Sequence, residues 1–187
     1  MKTENSRNGS FWLRTVLIVT MILLAAILRV APHPWNFTPV GAMALFGGAM
    51  LRDRRLAFLL PLLAMFAGDA LLGFNKLSWL VYASFLVNVA IGRLLKENRT
   101  VARIGGATFL ASLQFFLVTN LGVWAFLNSF PRTPTGLLAC YAAGLPFFWN
   151  TLAGDAVYVA LFFGGFALAE RLVPAIRQQS RPKLSEQ

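Results

Sequence analysis

The stretch "LRTVLIVTMILLAAIL", residues 13–28, carries one charged side chain, Arg14, near its edge. Residues 108–127 form a second run of the same kind, with no charge at all. A bilayer core takes about 20 mostly apolar residues per helix. The whole chain agrees with these two runs: 57% of its 187 residues are hydrophobic and 13% are charged, against about 25% charged in a soluble domain. The predicted fold class is therefore all-α, a polytopic integral membrane bundle.

Apolar runs between polar breaks predict six transmembrane helices, at about 13–31, 38–51, 56–73, 77–95, 104–127 and 146–169. The second is short for a full crossing. Between the fifth and sixth, residues 136–145 are expected to form a separate short helix at the membrane surface, since Pro and Thr turn formers surround them. The domain reading is a cytoplasmic tail over 1–12, a six-helix membrane domain over 13–172 and a cytoplasmic tail over 173–187. Lys2, Arg7 and Arg14 before an apolar run resemble a signal peptide. Arg29 follows that run and no small-x-small cleavage site does, so it is read as the first span.

The net charge of +10 would point to nucleic acid in a soluble protein. Here its placement argues for topology instead. The N-terminus, the "LRDRR" turn at 51–55, the loop at 92–103 and the C-terminal tail hold 14 Lys and Arg, while the other connections hold Arg29, Lys76 and Arg132. Cytoplasmic loops carry the Lys/Arg excess, so both termini are expected in the cytoplasm and the basic side at anionic headgroups. Trp35, Trp79 and Trp124 then fall at the external ends of spans and Trp12 at the cytoplasmic edge, levels that indole rings favour.

Two carboxylates interrupt the hydrocarbon: Asp69 in "FAGDALLGF" and Asp155 in "LAGDAVYVA". Each costs at least about 2.5–3.5 kcal/mol in a membrane interior and normally faces a partner or a wet cavity. Asn120 and Asn150 lie near the same spans as further hydrogen-bonding groups, whereas Asn88 and Gln114 read as structural. "PLLAMFAGDA" (61–70) and "PFFWNTLAGDA" (146–156) also resemble each other. An inverted three-plus-three repeat would place a shared site at their interface. The inferred span ends set the two Asp at different depths.

A stiff knot, "PHPWNFTPVGAMALFGG" at 32–48, holds the single histidine, His33, with Trp35 and Asn36. Its prolines fix φ and bias the preceding residues to extended forms. It suits either a rigid lip above a ligand cavity, closed together with the loops at 74–77 and 128–136, or an interfacial anchor. The candidate ligand-binding set is His33, Trp35, Asn36, Asp69, Asn120, Trp124, Asn150 and Asp155. No cofactor is expected: G-x-x-x-x-G-K-[ST], H-E-x-x-H and G-x-S-x-G are all missing, and the lone Cys140 excludes an intramolecular disulfide.

The strings "HPWNFTPVGAMALFGG", "VTNLGVWA", "PRTPTGL" and "CYAAGLPFFWNTLAGD" together resemble a bacterial family of uncharacterised membrane proteins labelled as transport proteins, over most of 27–165. That family is similar to the substrate-binding S components of energy-coupling factor (ECF) transporters. The resemblance implies a subunit of the inner membrane that binds a vitamin or other small micronutrient. Its partners would be the bilayer and an ECF energising module, a transmembrane coupling subunit plus ATPases. The first span departs from the A-x-x-x-A coupling contact of S components, offering Ala25-Ala26 with Met21, Ile22, Arg29 and Val30 at the four-residue offsets. Two other functions compete. One is a scaffold or assembly subunit without ligand. The other is an intramembrane aspartyl hydrolase, although neither G-D is preceded by the G-x of G-x-G-D.

Overall fold

The computed structural model describes residues 2–30 and 34–176, so His33 and the tail from 177 lie outside the described residues. Six helices follow in order: α1 Lys2–Val30, α2 Val40–Met50, α3 Arg54–Leu72, α4 Ser78–Arg93, α5 Val101–Phe126 and α6 Pro134–Leu172, with a final 3-10 turn at Pro174–Ile176. The described residues contain no strand. Phe11–Val30 of α1, α3, α5 and α6 are long and apolar enough to cross a membrane. The chain is a helical membrane bundle.

Local chemistry sets the helix starts. Asp53, Thr100 and Thr133 are N-caps whose side chains accept from the amides of Leu56, Arg103 and Gly136. Pro134 then occupies the first turn of α6, where its missing N–H costs nothing. Gly73 ends α3 at φ 97°, a backbone state that favours glycine.

Two expectations about boundaries need correction. Residues 2–12, read as a tail, already belong to α1. Residues 136–145, read as a separate surface helix, run without a break through Pro146 into α6. Proline inside a membrane helix is tolerated because neighbouring groups re-satisfy the freed carbonyl. The result is a 39-residue helix, about 58 Å long at 1.5 Å per residue, well beyond a hydrocarbon core of about 30 Å.

The short second helix is the centre of the molecule. Every residue of α2 is buried, and the other five helices all pack on it. Its composition, "VGAMALFGGAM", explains the placement, because small residues let backbones approach. A Cβ at Gly48 would run into the Val89 carbonyl oxygen, and one at Gly92 into the Leu45 carbonyl oxygen. The two glycines thus make one reciprocal backbone contact between α2 and α4. Phe46 fills the opposite side, with its ring 5.4–5.8 Å from those of Phe162, Phe163 and Phe166 on α6.

At the basic end, guanidinium groups close the structure. Arg93 Nη1 donates to the Leu51 carbonyl at 2.7 Å, just beyond the C-terminus of α2. Arg99 Nη1 reaches Met50 Sδ at 2.8 Å. Burial, then the charge of Arg14, lowers the Arg99 pKa from its ordinary value. Arg14 pairs with Glu170 and donates to the Ile176 carbonyl at 3.3 Å, tying α1, α6 and the last turn together.

The glycine contact yields a direct test. Gly48→Ala places a methyl against a backbone carbonyl and should cost about 1–3 kcal/mol, the range for overpacking. Gly105→Ala on α5, where a Cβ meets nothing within 4 Å, should be neutral or stabilising by up to about 1 kcal/mol. Thermal unfolding of the two variants in detergent checks this; equal melting temperatures would contradict the packing described.

Candidate functional site

Asp69 lies in the last turn of α3 and is 6% exposed. The guanidinium of Arg29, from the end of α1, pairs with its Oδ1, and Tyr82 Oη on α4 donates to its Oδ2 at 2.7 Å. Gly68 makes the pairing possible. A Cβ there would sit 3.0 Å from Arg29 Nε and 3.1 Å from its Cδ, so the arginine lies directly over the helix. Three helices therefore meet at one carboxylate. A buried ion pair holds only while both members are present, since either charge alone is costly in a low dielectric.

Asp155, in the middle of α6, is 2% exposed. Ser112 Oγ on α5 donates to its Oδ2 at 2.7 Å, and the backbone amide of Ala42, in the first turn of α2, is directed at the same carboxylate. A side chain at Gly41 would collide with its oxygens. The carboxyl is thus met by neutral donors and the N-terminal end of a helix. Gly154 repeats the role of Gly68: a Cβ there would come within 3.1 Å of Phe37 Cα, so the bare helix seats the loop ahead of α2. The two A-G-D-A strings share one local device.

Both carboxylates sit at similar distances from the basic end, contrary to the different depths inferred from span ends. Asp69 is 15 residues from Arg54 and Asp155 is 15 from Glu170, each about 22 Å by helix rise. Each has its own partners, so they form no proton-sharing dyad in this structure. A third polar group joins α4 to α5: Gln114 Nε2 donates to Asn88 Oδ1 at 2.6 Å and to the Ser84 carbonyl at 3.0 Å. Ser84 Oγ and Gln114 Oε1 are buried without a hydrogen-bond partner among the described residues.

The remaining candidates scatter. Asn150 Nδ2 donates to the Trp35 carbonyl at 3.1 Å, while the Trp35 ring is 80% exposed. Asn36 takes φ 60°, a left-handed turn that asparagine tolerates. The turn closes by Phe37 N–H to the Pro34 carbonyl at 3.0 Å, and the Phe37 ring rests 5.9 Å from Tyr158. The knot is docked on the flank of α6.

Asn120 and Trp124 lie farther along the α5–α6 hairpin. Asn120 Nδ2 donates to the Phe116 carbonyl at 2.9 Å and its head packs on Gly144. Trp124 Nε1 donates to the Pro131 carbonyl at 2.9 Å. Trp124 is 12 residues beyond Ser112, about 18 Å by rise. The expected convergence of the loops at 32–38 and 128–136 is therefore corrected. Gly136 and Asn150 stand 14 residues apart on one continuous helix, about 21 Å, and that helix carries the second loop past the first.

Arg29, Tyr82, Ser112 and Ser84 are the site residues that sequence reasoning missed. Arg29 carried a usable signal, as a lone cation ending an apolar run in a chain with an intramembrane Asp to balance. A tyrosine or serine inside an apolar helix has no comparable mark. The pairing gives a quantitative expectation: Asp69→Asn and Arg29→Met should each destabilise by about 3–5 kcal/mol, and the double variant by clearly less than their sum. Unfolding in detergent measures all three; strict additivity would show that the two groups do not interact.

No curated protein and no solved structure matches this chain. A family model does match, over residues 9–176, a span that takes in all six helices and both Asp-centred clusters. The chain belongs to the family of unknown function DUF6580.

Proposed function

We propose that the protein is a solute-binding transport protein of the bacterial inner membrane, with its recognition groups in the polar layer that crosses the bundle about 22 Å from the basic end by helix rise. The observation that carries this reading is the concentration there of Arg29, Asp69, Tyr82, Ser84, Gln114 and Asp155. Two of these, Ser84 and Gln114, have buried atoms without a partner among the described residues. Leaving such groups unmade costs about 1–3 kcal/mol each, so packing alone is a poor reason to keep them.

The half-length helix α2 supports the same reading. Transporters that use discontinuous helices aim their N-termini at buried polar sites, and α2 aims its own at Asp155. The Lys/Arg distribution supports an orientation with the basic end, and both termini, in the cytoplasm. On the likeness to S components the ligand is a vitamin or other small micronutrient. Coupling to an ECF energising module is part of the proposal, carried by that likeness alone. A second reading, a membrane assembly subunit without ligand, is favoured by the complete burial of Asp155 and Ser112. The separate partner sets of the two carboxylates speak against the aspartyl hydrolase.

Two measurements test the proposal. Purified protein screened against vitamins and nucleobases should gain thermal stability with one of them, because a native-state ligand adds RT ln(1 + [L]/Kd). Ser84→Ala, which removes a hydroxyl without a partner among the described residues, should reduce that gain with little loss of stability in the unliganded protein. A panel without any stabilising ligand favours the assembly subunit. A reporter fused after Gln187 should be active only in the cytoplasm, and periplasmic activity would reverse the orientation.

A further inference from the structure

We propose that α1 is the moving element of this bundle, held closed by two guanidinium latches, Arg14 on Glu170 at the basic end and Arg29 on Asp69 at the other. Release of the Arg14 latch swings the basic end of α1 away from α6 and opens a lateral gap on the cytoplasmic side of the polar layer. The proposal deepens the transport reading, on which it rests, by naming the part that moves.

The packing of α1 differs from that of its neighbours. It packs chiefly on α2, α3 and the final 3-10 turn, and it lies next to α6 without interlocking with it. Its buried seam is Ile18, Ile22 and Ala25 at helical spacing, flanked by the half-buried Leu17, Met21 and Ala26, with Val16, Leu23, Leu24 and Ile27 exposed on either side. In a bilayer such a seam holds weakly, because lipid tails replace apolar neighbours at little cost. On the α6 side, a Cβ at Gly165 would touch only the end of Met21, at 4.0 Å.

Towards α6, what holds α1 is therefore charge. Both ion pairs between described residues belong to it. They stand 15 residues apart, about 22 Å along the helix, and they reach different helices. The lower latch gathers most: the Arg14 guanidinium also lies 4.7 Å over the Phe166 ring and donates to the Ile176 carbonyl. An element with a thin apolar seam and a polar clasp at each end has two discrete arrangements available, clasp made or clasp broken. That is the requirement for a switch rather than a continuous deformation.

Cross-linking tests the motion without any ligand. In the full-length chain with Cys140→Ser, Met21→Cys with Gly165→Cys reports the α1–α6 seam, and Leu80→Cys with Gly122→Cys reports the closely packed α4–α5 contact. Both pairs are treated in membranes with a short bifunctional thiosulfonate. Glu170→Gln should slow the first pair about tenfold, equivalent to about 1.4 kcal/mol of lost latch energy, and leave the second unchanged. Arg14→Lys, which keeps the charge, should give an intermediate rate. An unchanged rate for the first pair would show that packing alone holds α1, and equal slowing of both pairs would show general loosening; either overturns the proposal. Failure of the ligand screen leaves this result intact, so the two readings fail separately.

Discussion

A helix of eleven residues buried along its whole length must have both ends answered inside the protein. The first amides and last carbonyls of any helix lack intrahelical partners, and in an apolar surround each costs several kcal/mol if left bare. In this bundle the N-terminus of α2 meets the Asp155 carboxylate and its C-terminal carbonyl meets Arg93. A carboxyl acceptor thus faces the positive end of the helix and a guanidinium the negative end. The rest of the architecture follows from satisfying those two ends. Asp155 fixes α6 and, through Ser112, α5; Arg93 fixes α4.

The glycines beside the aspartates explain how charged groups reach their partners in so dense a core. Gly68 leaves the surface of α3 bare where Arg29 crosses it, and Gly154 does the same on α6 for the backbone at Phe37 and Thr38. A methyl group at either position would push the partner outward by a few tenths of an ångström or more. In each A-G-D-A string the glycine sets the distance and the aspartate supplies the charge. The electrostatic settings still differ. Asp69 is balanced by a full cation, whereas Asp155 is met by a hydroxyl and a helix end.

Much of the fold was legible in the sequence because it depends on quantities that local composition carries. Charge-free runs gave α2 to α5 within about three residues at each end but missed the starts of α1 and α6, and the two intramembrane aspartates were visible as anomalies that had to be buried and partnered. The length of α6 was not legible, since Pro and Thr near 131–146 read as turn signals and only tertiary context shows Pro146 inside a continuous helix. That single error displaced the expected mouth, because loops assumed to share one level stand about 21 Å apart by helix rise. The partners of the aspartates were equally hidden. Tyr82 and Ser112 become polar contacts only once helix rotation is known, and period gives little rotation signal in helices apolar on all sides.

The contrast between the two carboxylates bears on what each can do. Exchanging the Arg29–Asp69 contact for another partner separates two full charges in a low dielectric, so that pair favours an all-or-none change in which α1 and α3 part or stay together. Asp155 has no such constraint. Its donors are neutral and belong to α2 and α5, so any movement of either against α6 alters the carboxylate's solvation without breaking an ion pair. The ion pair joins α1 to α3, and the carboxyl at the buried end of α2 joins α2, α5 and α6 without a cation.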